Sequence, residues 1–415
     1  MKDMLGRGES LPPGEALKRV LDTLPPRTPQ IEEIAIEEAY GRVLARPVHS
    51  PEDLPDFMRS TMDGFAVIAE DTFGATEGLP AYLKIAGEVK MGEAPAFSIK
   101  RGECARIPTG GMLPAGADAV LMLEHANEIS ETEIEALKPV PPGQNLIRKG
   151  EDAGKGELLL KGGCLLRPQD IAAFAGVGII KVNVYKKPRV SIIVTGDEII
   201  SPSEELRPGC VRDINSFTLA GLIMREGGVP FKEGTVKDDY SLLNEVFEKA
   251  LAHSDMVLIT GGSSVGERDY TANLIAGKGR VIFHGVAMKP GKPTIGGIAG
   301  ERPVFGLPGH PAAVLISFEV FVKPLLRRIS GRLEKPALKG AGKVEAKISK
   351  DVASSVGRTQ YIPVSLFLKD GNLWAEPVLG PSGLIRTLLK ADGAIVAPEG
   401  RGGVNKGEMV EVELF

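Results

Sequence analysis

The chain has 415 residues, and its hydrophobic and charged fractions, 43% and 25%, are those of a folded globular protein. This length exceeds one ordinary domain, so about two to four domains are expected. The formal net charge of -4 gives no general attraction to nucleic acid or to a membrane. The sequence has no apolar run near the roughly 18 residues that span a bilayer and no secretory signal at its start, so a cytoplasmic protein is predicted.

The cysteine and histidine content argues against two kinds of site. Cys104, Cys164 and Cys210 are far apart and form no CxxC pair, so neither a zinc knuckle nor a disulfide scaffold is indicated. The five histidines show no metal-binding spacing.

The residue pattern of the first half of the chain changes at about residue 51 and again at about residue 150. Residues 14–26 predict a helix, because Leu17, Val20, Leu21 and Leu24 share one face before two prolines. Residues 51–149 predict a β-rich inserted domain of short strands and Gly/Pro turns. The flanking segments 1–50 and 150–185 are then expected to pack together as one discontinuous mixed α/β domain.

Residues 186–330 predict a doubly wound α/β domain. Strands such as PRVSIIVTG and DMVLITGG are nearly continuous in apolar residues, and amphipathic helices follow them. Asn215 or Ser216 is expected to cap the helix SFTLAGLIMREGG. Sheets of this kind bind ligands at the carboxyl ends of their strands. Residues 331–415 predict an all-β domain with a hairpin turn at Asp370-Gly371.

The sharpest local signal is GGSSVGERD at residues 261–269, directly after a predicted strand. Gly261 and Gly262 let backbone N–H groups approach an anion, and Ser263 and Ser264 add hydroxyl donors. Asp269 would lie near that anion as a metal ligand or an acid/base group. Neither a Walker A loop nor a dinucleotide fingerprint is present, and an ordinary strand-to-helix turn remains an alternative.

Two further turns carry polar groups. AMKPGKP places Lys289 and Lys292 on either side of a Pro-Gly turn, where ammonium groups would face a phosphate or an oxyanion. GLPGHP is another strand end, with Pro311 suited to the first helical position and His310 read as a turn or capping residue. A solvated lysine turn is the alternative for the first segment.

Several acids lie beside glycines or at strand ends: Asp63, Asp152, Glu198 and Asp238. Carboxylates near a bound anion are useful if a cation lies between them, and Mg²⁺ with oxygen ligands fits that need. Each acid alone has a structural alternative. Asp238 or Asp239 could cap the following helix, and Asp63 could be a turn residue.

Taken together, these segments resemble the molybdopterin molybdenumtransferase family, which includes the carboxyl-terminal domain of gephyrin. The resemblance runs in order over nearly the whole chain. It is carried by STMDGFAV (60–67), RIPTGGMLPAGADAV (106–120), GEDAGKGELL (150–159), VTGDEI (194–199), GGSSVGERDYT (261–271), MKPGKP (288–293) and LPGHPAA (307–313). The combination of MDGFAV, PTGG, MKPGKP and LPGHP in one chain is its most specific part.

The resemblance implies a fold and a reaction. Members are elongated four-domain chains with a central molybdopterin-binding α/β domain and a carboxyl-terminal β-barrel. They pair as homodimers, with an active cleft between the central domain and the β-barrel tail of the partner subunit. They convert adenylated molybdopterin and molybdate into molybdenum cofactor and AMP, and they use Mg²⁺.

The resemblance also implies roles for individual residues. The catalytic set comprises Asp63, Asp152, Glu198, Asp238, Asp269 and Lys289. Asp238 and Asp269 are the implied metal ligands. The implied binding set comprises Thr109, Gly261, Gly262, Ser263, Ser264, Lys292, Pro308, Gly309, Arg358 and Ser382.

The sequence departs from its relatives at three places. Gly285 stands where many relatives have Lys or Arg, so one cationic contact is missing, and Lys292 or another side chain is expected to substitute. His310 stands where Asn is common, and Phe65 replaces a frequent Tyr. Two other functions stay open at this point: an adenylyltransferase that shares the central signature, and a non-catalytic pterin-binding scaffold.

Overall fold

The structure is a computed structural model that describes residues 10–261, 270–333, 342–354, 357–380 and 383–415. It confirms the predicted combination of a doubly wound α/β region, a β-rich insert and a carboxyl-terminal β-barrel. In the described ranges, no helix is long and apolar enough to cross a bilayer. The predicted sites at Gly262, Ser263, Ser264, Asp269 and Ser382 lie outside the described residues.

The amino-terminal segment contributes one helix and two strands: α1 (Pro13–Thr23), β1 (Ile31–Ala35) and β2 (Val48–His49). Helix α1 begins at a proline and ends before the two prolines that the sequence placed at its end. Its buried Ala16 and Val20 belong to the core of the central α/β region. Helix α1 therefore packs against the central α/β region, although the strands that follow it, β1 and β2, belong to the amino-terminal segment.

The inserted β-rich region contains β3 (Arg59–Ser60), β4 (Gly64–Val67), β5 (Ala81–Glu88), β6 (Glu103–Ile107), β7 (Ala119–Met122), β8 (Ala126–Ser130), β9 (Glu133–Ala136) and β10 (Leu146–Ile147). Six of these strands form one sheet in the order β7-β4-β6-β5-β9-β8, and β3 pairs with β10. Phe65 on β4 is fully buried in its core. The guanidinium carbon of Arg106 lies 5.6 Å from the centre of that ring.

The chain then returns to its first segment through β11 (Leu158–Leu160), α2 (Pro168–Gly176) and β12 (Lys181–Tyr185). Strand β12 pairs antiparallel with β1, and β11 pairs with β2. Pro168 opens α2, because its fixed φ suits the first helical position. The segments on either side of the insert are thus joined by backbone hydrogen bonds.

The central α/β region holds, in chain order, β13 (Arg189–Thr195), β14 (Ile199–Ile200), β15 (Val211–Arg212), α3 (Asn215–Arg225), β16 (Val229–Val236), α4 (Tyr240–His253), β17 (Met256–Gly261), α5 (Tyr270–Lys278), β18 (Gly279–His284), β19 (Met288–Lys289), β20 (Ile295–Ala299), β21 (Arg302–Leu307), α6 (Pro311–Ser317) and α7 (Lys323–Ile329). A π-helical turn at Phe318–Val322 joins α6 to α7. The sheet order is β16-β13-β17-β21-β20-β18, with the first four strands parallel.

The two faces of this sheet are covered by different helices. Val190, Ile192 and Val194 of β13 pack into a core with α1, α3 and the helix 311–329. Ile193, on the opposite face, packs with α4 and α5. Apolar side chains on both faces explain the nearly continuous hydrophobic strands in the sequence.

The expected capping residues of two helices need correction or refinement. Neither Asn215 nor Ser216 is the N-cap of α3; the carboxylate of Asp213 accepts hydrogen bonds from the Ser216 N–H (3.0 Å) and hydroxyl. Asp239, not Asp238, caps α4, since it accepts from the Leu242 N–H at 2.9 Å. Asn215 and Asp238 do not cap these helices and instead make side-chain hydrogen bonds at the edge of the sheet.

The tail contains β22 (Lys343–Ile348), β23 (Val352–Ala353), β24 (Thr359–Lys369), β25 (Asn372–Pro377), α8 (Ile385–Lys390), β26 (Gly393–Ala397), β27 (Gly403–Val404) and β28 (Met409–Leu414). Five strands close into a barrel, in the order β24-β25-β22-β28-β26 with β26 pairing back to β24. The predicted hairpin turn at Asp370-Gly371 joins β24 to β25, and both residues have positive φ.

One short strand attaches the barrel to the central region. Met288–Lys289 pairs in parallel with Thr359–Gln360 of the barrel. The Thr359 N–H also donates to the Ala287 carbonyl at 2.9 Å. The KPGKP turn and the barrel are therefore held together by the backbone within a single chain.

Candidate functional site

Two neighbouring strands of the central sheet end in a tightly fitted pair of residues. Thr195 and Gly261 are register partners at the carboxyl ends of β13 and β17. Gly261 has φ +94°, and a Cβ there would lie 1.9 Å from the Thr195 carbonyl oxygen. Only glycine fits this position, which lets the chain leave β17 close to its neighbour.

An acidic group is fixed at this edge by the same threonine. The Thr195 hydroxyl, which is buried, donates to Asp238 Oδ1 at 2.6 Å. The Asp238 N–H lies 3.3 Å from Asp197 Oδ1. Glu198 is exposed on the same turn, and its carbonyl accepts from the Val211 N–H at 2.8 Å. Asp238 and Glu198 are thus both at the carboxyl edge of the central sheet.

A residue that the sequence analysis missed connects this edge to the LPGHP turn. Asn215 is 6% exposed and its Nδ2 donates to the Gly309 carbonyl at 2.8 Å and lies 3.2 Å from Thr260 Oγ1. The Thr260 hydroxyl in turn donates to the Pro308 carbonyl at 3.2 Å. The ends of β17 and β21 are therefore joined by buried side-chain hydrogen bonds. An asparagine at a helix start looks like a cap, so the sequence offered no separate signal for this role.

A cavity of about 570 Å³ lies between the KPGKP turn, the LPGHP turn and the barrel. We call it the lysine pocket. Among its lining residues are Lys289, Lys292, Pro308, His310, Arg358, Gln360 and Tyr361. The predicted residues Lys289, Lys292, Pro308 and Arg358 are brought together here by the tertiary structure.

Buried hydrogen bonds fix the backbone of the KPGKP turn, residues 289–293. The Thr294 hydroxyl is buried, donates to the Gly291 carbonyl at 2.7 Å and lies 2.9 Å from the Ser317 hydroxyl. The Val286 N–H donates to the Lys292 carbonyl at 2.9 Å. A turn anchored in this way presents its lysines from a fixed backbone.

The cations of the lysine pocket carry no anionic partner within the described part of the chain. Lys289 is exposed, whereas Lys292 and Arg358 are half-buried, and no carboxylate described in the structure pairs with any of the three. Arg358 Nε is buried without a hydrogen-bond partner among those residues. Burial raises the pKa of Tyr361 to about 12, so its phenol adds no negative charge to the pocket.

The departures at Gly285 and His310 have structural consequences. Gly285 has φ +84°, a conformation in which a lysine or arginine would be strained. Position 285 carries no side chain in this protein, and the lysines and arginine that line the lysine pocket are Lys289, Lys292 and Arg358. His310 occupies the N-cap position of α6 but makes no side-chain cap, and its ring lines the pocket instead. Pro311 begins that helix as predicted.

The remaining predicted acids lie in and beside the inserted region. Asp63 Oδ1 accepts from the Thr109 N–H at 2.7 Å and from its hydroxyl at 2.9 Å. These bonds, the N–H first, lower the pKa of Asp63 below its ordinary value. Asp152 is exposed, and its N–H donates to the Leu54 carbonyl at 3.0 Å. Neither acid lines the lysine pocket, so one chain does not bring all of the predicted catalytic residues together there.

The described residues hold no group of three His, Cys, Asp or Glu side chains suited to a metal ion. Asp238 offers an oxygen ligand, with one of its two carboxylate oxygens bonded to Thr195. Mg²⁺ often binds through one or two carboxylates together with substrate phosphates and water. Of the two predicted metal ligands, Asp238 lies within the described residues and Asp269 lies outside them.

Three family descriptions match successive parts of the chain. Residues 11–178 match "MoeA N-terminal region (domain I and II)". Residues 191–328 match "Probable molybdopterin binding domain". Residues 345–415 match "MoeA C-terminal region (domain IV)". The matched segments cover the inserted region, the central sheet and the barrel in order.

Individual relatives match over nearly the full length. A protein of Methanocaldococcus jannaschii named for molybdopterin biosynthesis is 37% identical over 396 residues, covering 93% of this chain and 92% of its own. The molybdopterin molybdenumtransferase of a Nostoc species is 35% identical over 382 residues, covering 90% and 86%. The crystal structure of the molybdopterin biosynthesis MoeA protein from Pyrococcus horikoshii is 36% identical with a TM-score of 0.86, covering 98% and 100%. The chain belongs to the molybdopterin molybdenumtransferase family.

Proposed function

We propose that this chain transfers molybdate to adenylated molybdopterin and releases molybdenum cofactor and AMP. The observation that carries the proposal is the lysine pocket. Three cations without carboxylate partners in the described chain line a cavity of about 570 Å³ beside the carboxyl edge of the central sheet. This combination suits a reaction between two anions. The location proposed for this reaction is the cytoplasm.

Molybdate is the ligand proposed for the cationic wall of the pocket. Lys289 and Lys292 are point charges on an anchored turn, and Arg358 presents a planar fork of donors from the barrel. A dianion placed among them would exchange water for fixed charge-assisted hydrogen bonds. The cavity is larger than an oxyanion needs, which leaves room for the dithiolene end of the pterin.

The adenylated pterin is proposed to lie along the carboxyl edge between Gly261 and the LPGHP turn. Gly261 permits a close backbone approach at that edge. Pro308 and Gly309 form the adjoining turn, tied to the sheet by Thr260 and Asn215. Gly262, Ser263, Ser264 and Ser382 are proposed to add donors to the same substrate.

Mg²⁺ is proposed to be held by Asp238, by Asp269 and by the substrate's phosphates, with Glu198 nearby. When bound, the ion would offset the charge of the pyrophosphate linkage that must be broken to release AMP. Asp238 is oriented for this by the Thr195 hydroxyl. The side chains therefore position charge and lower the repulsion between the two substrates, which is where much of the rate enhancement is expected.

We propose a homodimer in which the cleft is shared, with one change from the arrangement that the resemblance implied. The tail that lines the lysine pocket is the chain's own, through the pairing of Met288–Lys289 with Thr359–Gln360. The contribution left for a partner is then the exposed acidic region around Asp63, Thr109 and Asp152. Asp63 keeps its negative charge there because Thr109 stabilises the carboxylate.

The proposal is tested with purified protein, adenylated molybdopterin, molybdate and Mg²⁺, by following AMP release. Lys289→Ala is expected to lower the rate about 10²-fold, the scale of losing one preorganised charge-stabilising donor. Lys369→Ala is the matched control, since Lys369 is exposed at the far end of strand Thr359–Lys369. An unchanged rate in Lys289→Ala would refute the role of the pocket.

The same preparation distinguishes the two alternative functions. Incubation with ATP and unmodified molybdopterin tests for adenylate formation, which the proposal predicts to be absent. A chain that binds adenylated molybdopterin but releases no AMP with molybdate present would instead be a pterin-binding scaffold.

A further inference from the structure

A second cationic cavity lies at the opposite edge of the central sheet. It has a volume of about 230 Å³ and is lined by five lysine and arginine side chains: Arg27, Lys186, Lys187, Arg189 and Arg302. His253 also lines it, with its Nε2 2.8 Å from Glu233 Oε1. Among the described residues that line it, Asp255 is the one with a carboxylate. We call this cavity the amino-edge pocket. It is separate from the lysine pocket and shares no lining residue with it.

The parallel strands explain why these cations converge. Arg189 and Arg302 are the first residues of β13 and β21, and Asp255 directly precedes β17. Parallel strands begin at a common edge, so their first residues lie side by side. Lys186 and Lys187 belong to the link from β12 to β13, and Arg27 comes from the segment after α1. The pocket thus joins three separate parts of the chain.

Each oxygen of the carboxylate in this pocket already has a partner. Asp255 Oδ1 lies 3.0 Å from the guanidinium of Arg27, whose side chain is 51% exposed. Asp255 Oδ2 accepts from the Arg189 N–H at 2.9 Å. One carboxylate cannot neutralise five basic groups, so the pocket keeps a positive excess although the whole chain is acidic.

The other cations are held by neutral groups. Arg302 Nε donates to the Ser254 carbonyl at 2.6 Å, and its Nη1 donates to the Gly300 carbonyl at 3.0 Å. Arg189 lies over the ring of Phe231 at 4.5 Å, and Lys186 Nζ donates to Gln30 Oε1 at 3.1 Å. Such contacts orient the side chains without cancelling their charge.

Two cations remain available for an anion. Arg302 is half-buried and fixed by carbonyls, and no carboxylate among the described residues pairs with it. Lys187 is exposed at the rim and likewise has no partner in the described chain. A partly desolvated guanidinium without a counter-charge is costly, and an oxyanion bound against it would relieve that cost.

We propose that the amino-edge pocket binds a small phosphate-bearing anion, with inorganic pyrophosphate as the representative ligand. The volume lies below the range of about 300–1,000 Å³ usual for drug-sized ligands, so the recognised part is a phosphate or diphosphate group. Lys187 and Arg302 make the principal contacts, and Arg27 closes the pocket from the amino-terminal segment. This site is independent of the proposed transfer reaction.

Calorimetric titration of the full chain with pyrophosphate tests the site. The titration uses a Lys289→Gln/Lys292→Gln background to remove binding in the lysine pocket. Pyrophosphate is expected to bind this background protein saturably. Adding Lys187→Gln/Arg302→Gln is expected to raise the Kd at least about tenfold, because two charge-assisted contacts are lost. Arg280→Gln, an exposed arginine on β18 outside the pocket, is the matched control and should leave Kd within about twofold.

Two further measurements keep the test decisive. Lys187→Gln alone changes only an exposed side chain, so it should fold normally and still raise Kd about threefold or more. Pyrophosphate should also raise the melting temperature of the background protein, and less so that of the Lys187→Gln/Arg302→Gln variant. No saturable binding in the background, or an unchanged Kd in both pocket variants, would overturn the proposal.

The form of the ligand is separated by parallel titrations with phosphate and with AMP. If pyrophosphate binds more tightly than phosphate and more tightly than AMP, the pocket is an inorganic diphosphate site. Tighter binding of AMP indicates a phosphate monoester whose remaining atoms extend into solvent. Because the pocket is partly open, binding is expected to weaken as salt is added. The measurement is of binding alone, so it stands or falls separately from the transferase assay.

Discussion

The carboxyl edge of the central sheet and the Asp63 turn of the inserted sheet hold their polar groups in different ways. At the carboxyl edge, the exposed fractions of Thr195, Asn215 and Thr260 are 2%, 6% and 0%. Their side chains make hydrogen bonds that tie the ends of the strands to the loops that follow. At the other turn, Asp63 and Thr109 are exposed, and the Asp63 carboxylate accepts from the N–H and the hydroxyl of Thr109. The first arrangement depends on packing, whereas the second is local.

This difference indicates different uses. A buried hydrogen bond has no competing water, so leaving either partner unsatisfied costs about 1–3 kcal/mol and the geometry is strongly maintained. An exposed acid can keep its charge through a local turn, but packing does not fix its distance from the rest of the site. We therefore expect the carboxyl edge to be a preformed binding surface and Asp63 to be a group that is presented to a second surface.

The largest expected effect is at Gly261. Gly261→Ala places a Cβ against the Thr195 carbonyl oxygen, in a backbone conformation that alanine rarely adopts. Strain and overlap together are expected to lower the free energy of unfolding of the central region by about 3 kcal/mol or more. Thermal and urea denaturation would measure the loss.

Gly209→Ala is the control for that substitution. Gly209 has a similar φ of +83°, but a Cβ there meets nothing within 4 Å. Only the backbone strain remains, so a loss of about 1 kcal/mol is expected. Equal losses in the two variants would mean that the close approach of β13 and β17 is not what requires glycine.

An intermediate effect is expected at Asn215. Asn215→Ala leaves the Gly309 carbonyl without its side-chain donor and removes a contact to Thr260, which should cost about 1–3 kcal/mol. Because the LPGHP turn would lose its tie to β17, the KM for the adenylated pterin should rise more than kcat falls. Steady-state AMP release together with denaturation would measure both changes.

Asn127→Ala provides the exposed counterpart. Asn127 Nδ2 donates to Glu135 Oε2 at 2.9 Å on the surface of the inserted sheet. Water replaces that bond readily, so stability should change by no more than about 0.5 kcal/mol. If Asn127→Ala cost as much as Asn215→Ala, the contrast between buried and exposed polar contacts would not hold.

The smallest effect is expected at Thr109. Thr109→Val removes the hydroxyl bond to Asp63 but keeps the N–H bond, so the pKa of Asp63 should rise part of the way toward its ordinary value. A lowered folded-state pKa stabilises the protein above the unfolded-state value of about 3.9, and that contribution is lost as pH falls through the folded-state pKa. The wild-type advantage should therefore be present at neutral pH and disappear in acid.

NMR titration of the Asp63 carboxyl carbon measures this shift directly. Thr109→Ser keeps the hydroxyl and is expected to preserve the wild-type pKa. Denaturation at neutral and at acidic pH follows the linked change in stability. An Asp63 titration that is the same in Thr109→Val and in the wild type would assign the lowered pKa entirely to the backbone N–H.

Much of the fold could be predicted because its signals are local. Pro311 begins a helix where it was expected, and Asp370-Gly371 forms the hairpin turn, since each depends on the conformation of a few adjacent residues. The prediction that Asn215 or Ser216 caps α3 was wrong, because the local sequence offered several suitable residues. Asp213, Asn215 and Ser216 are all acceptable near a helix start, and only packing decides which side chain faces the helix.

The candidate site was predictable in composition but not in arrangement. Lys289, Lys292 and Arg358 were found from motifs, yet their meeting depends on the pairing of β19 with β24, about 70 residues apart in sequence. Asn215 carried no separate signal, since its role exists only when β17 and β21 lie side by side. The pairing also placed the chain's own barrel at the lysine pocket.

By itself, the sequence determined the class of fold, the ordered set of motifs and the oxygen-rich, cationic chemistry of the candidate site, because these depend on residue type, periodicity and near neighbours. Tertiary structure alone decided which charges face one another. Lys289 and Arg358 have no carboxylate partner among the described residues, whereas Asp255 forms an ion pair with Arg27. Arg302 lies at the amino edge of the sheet, in the amino-edge pocket. The physical reason is that strand register and sheet order bring distant residues within reach of Coulomb and hydrogen-bond forces, and neither can be read from local sequence.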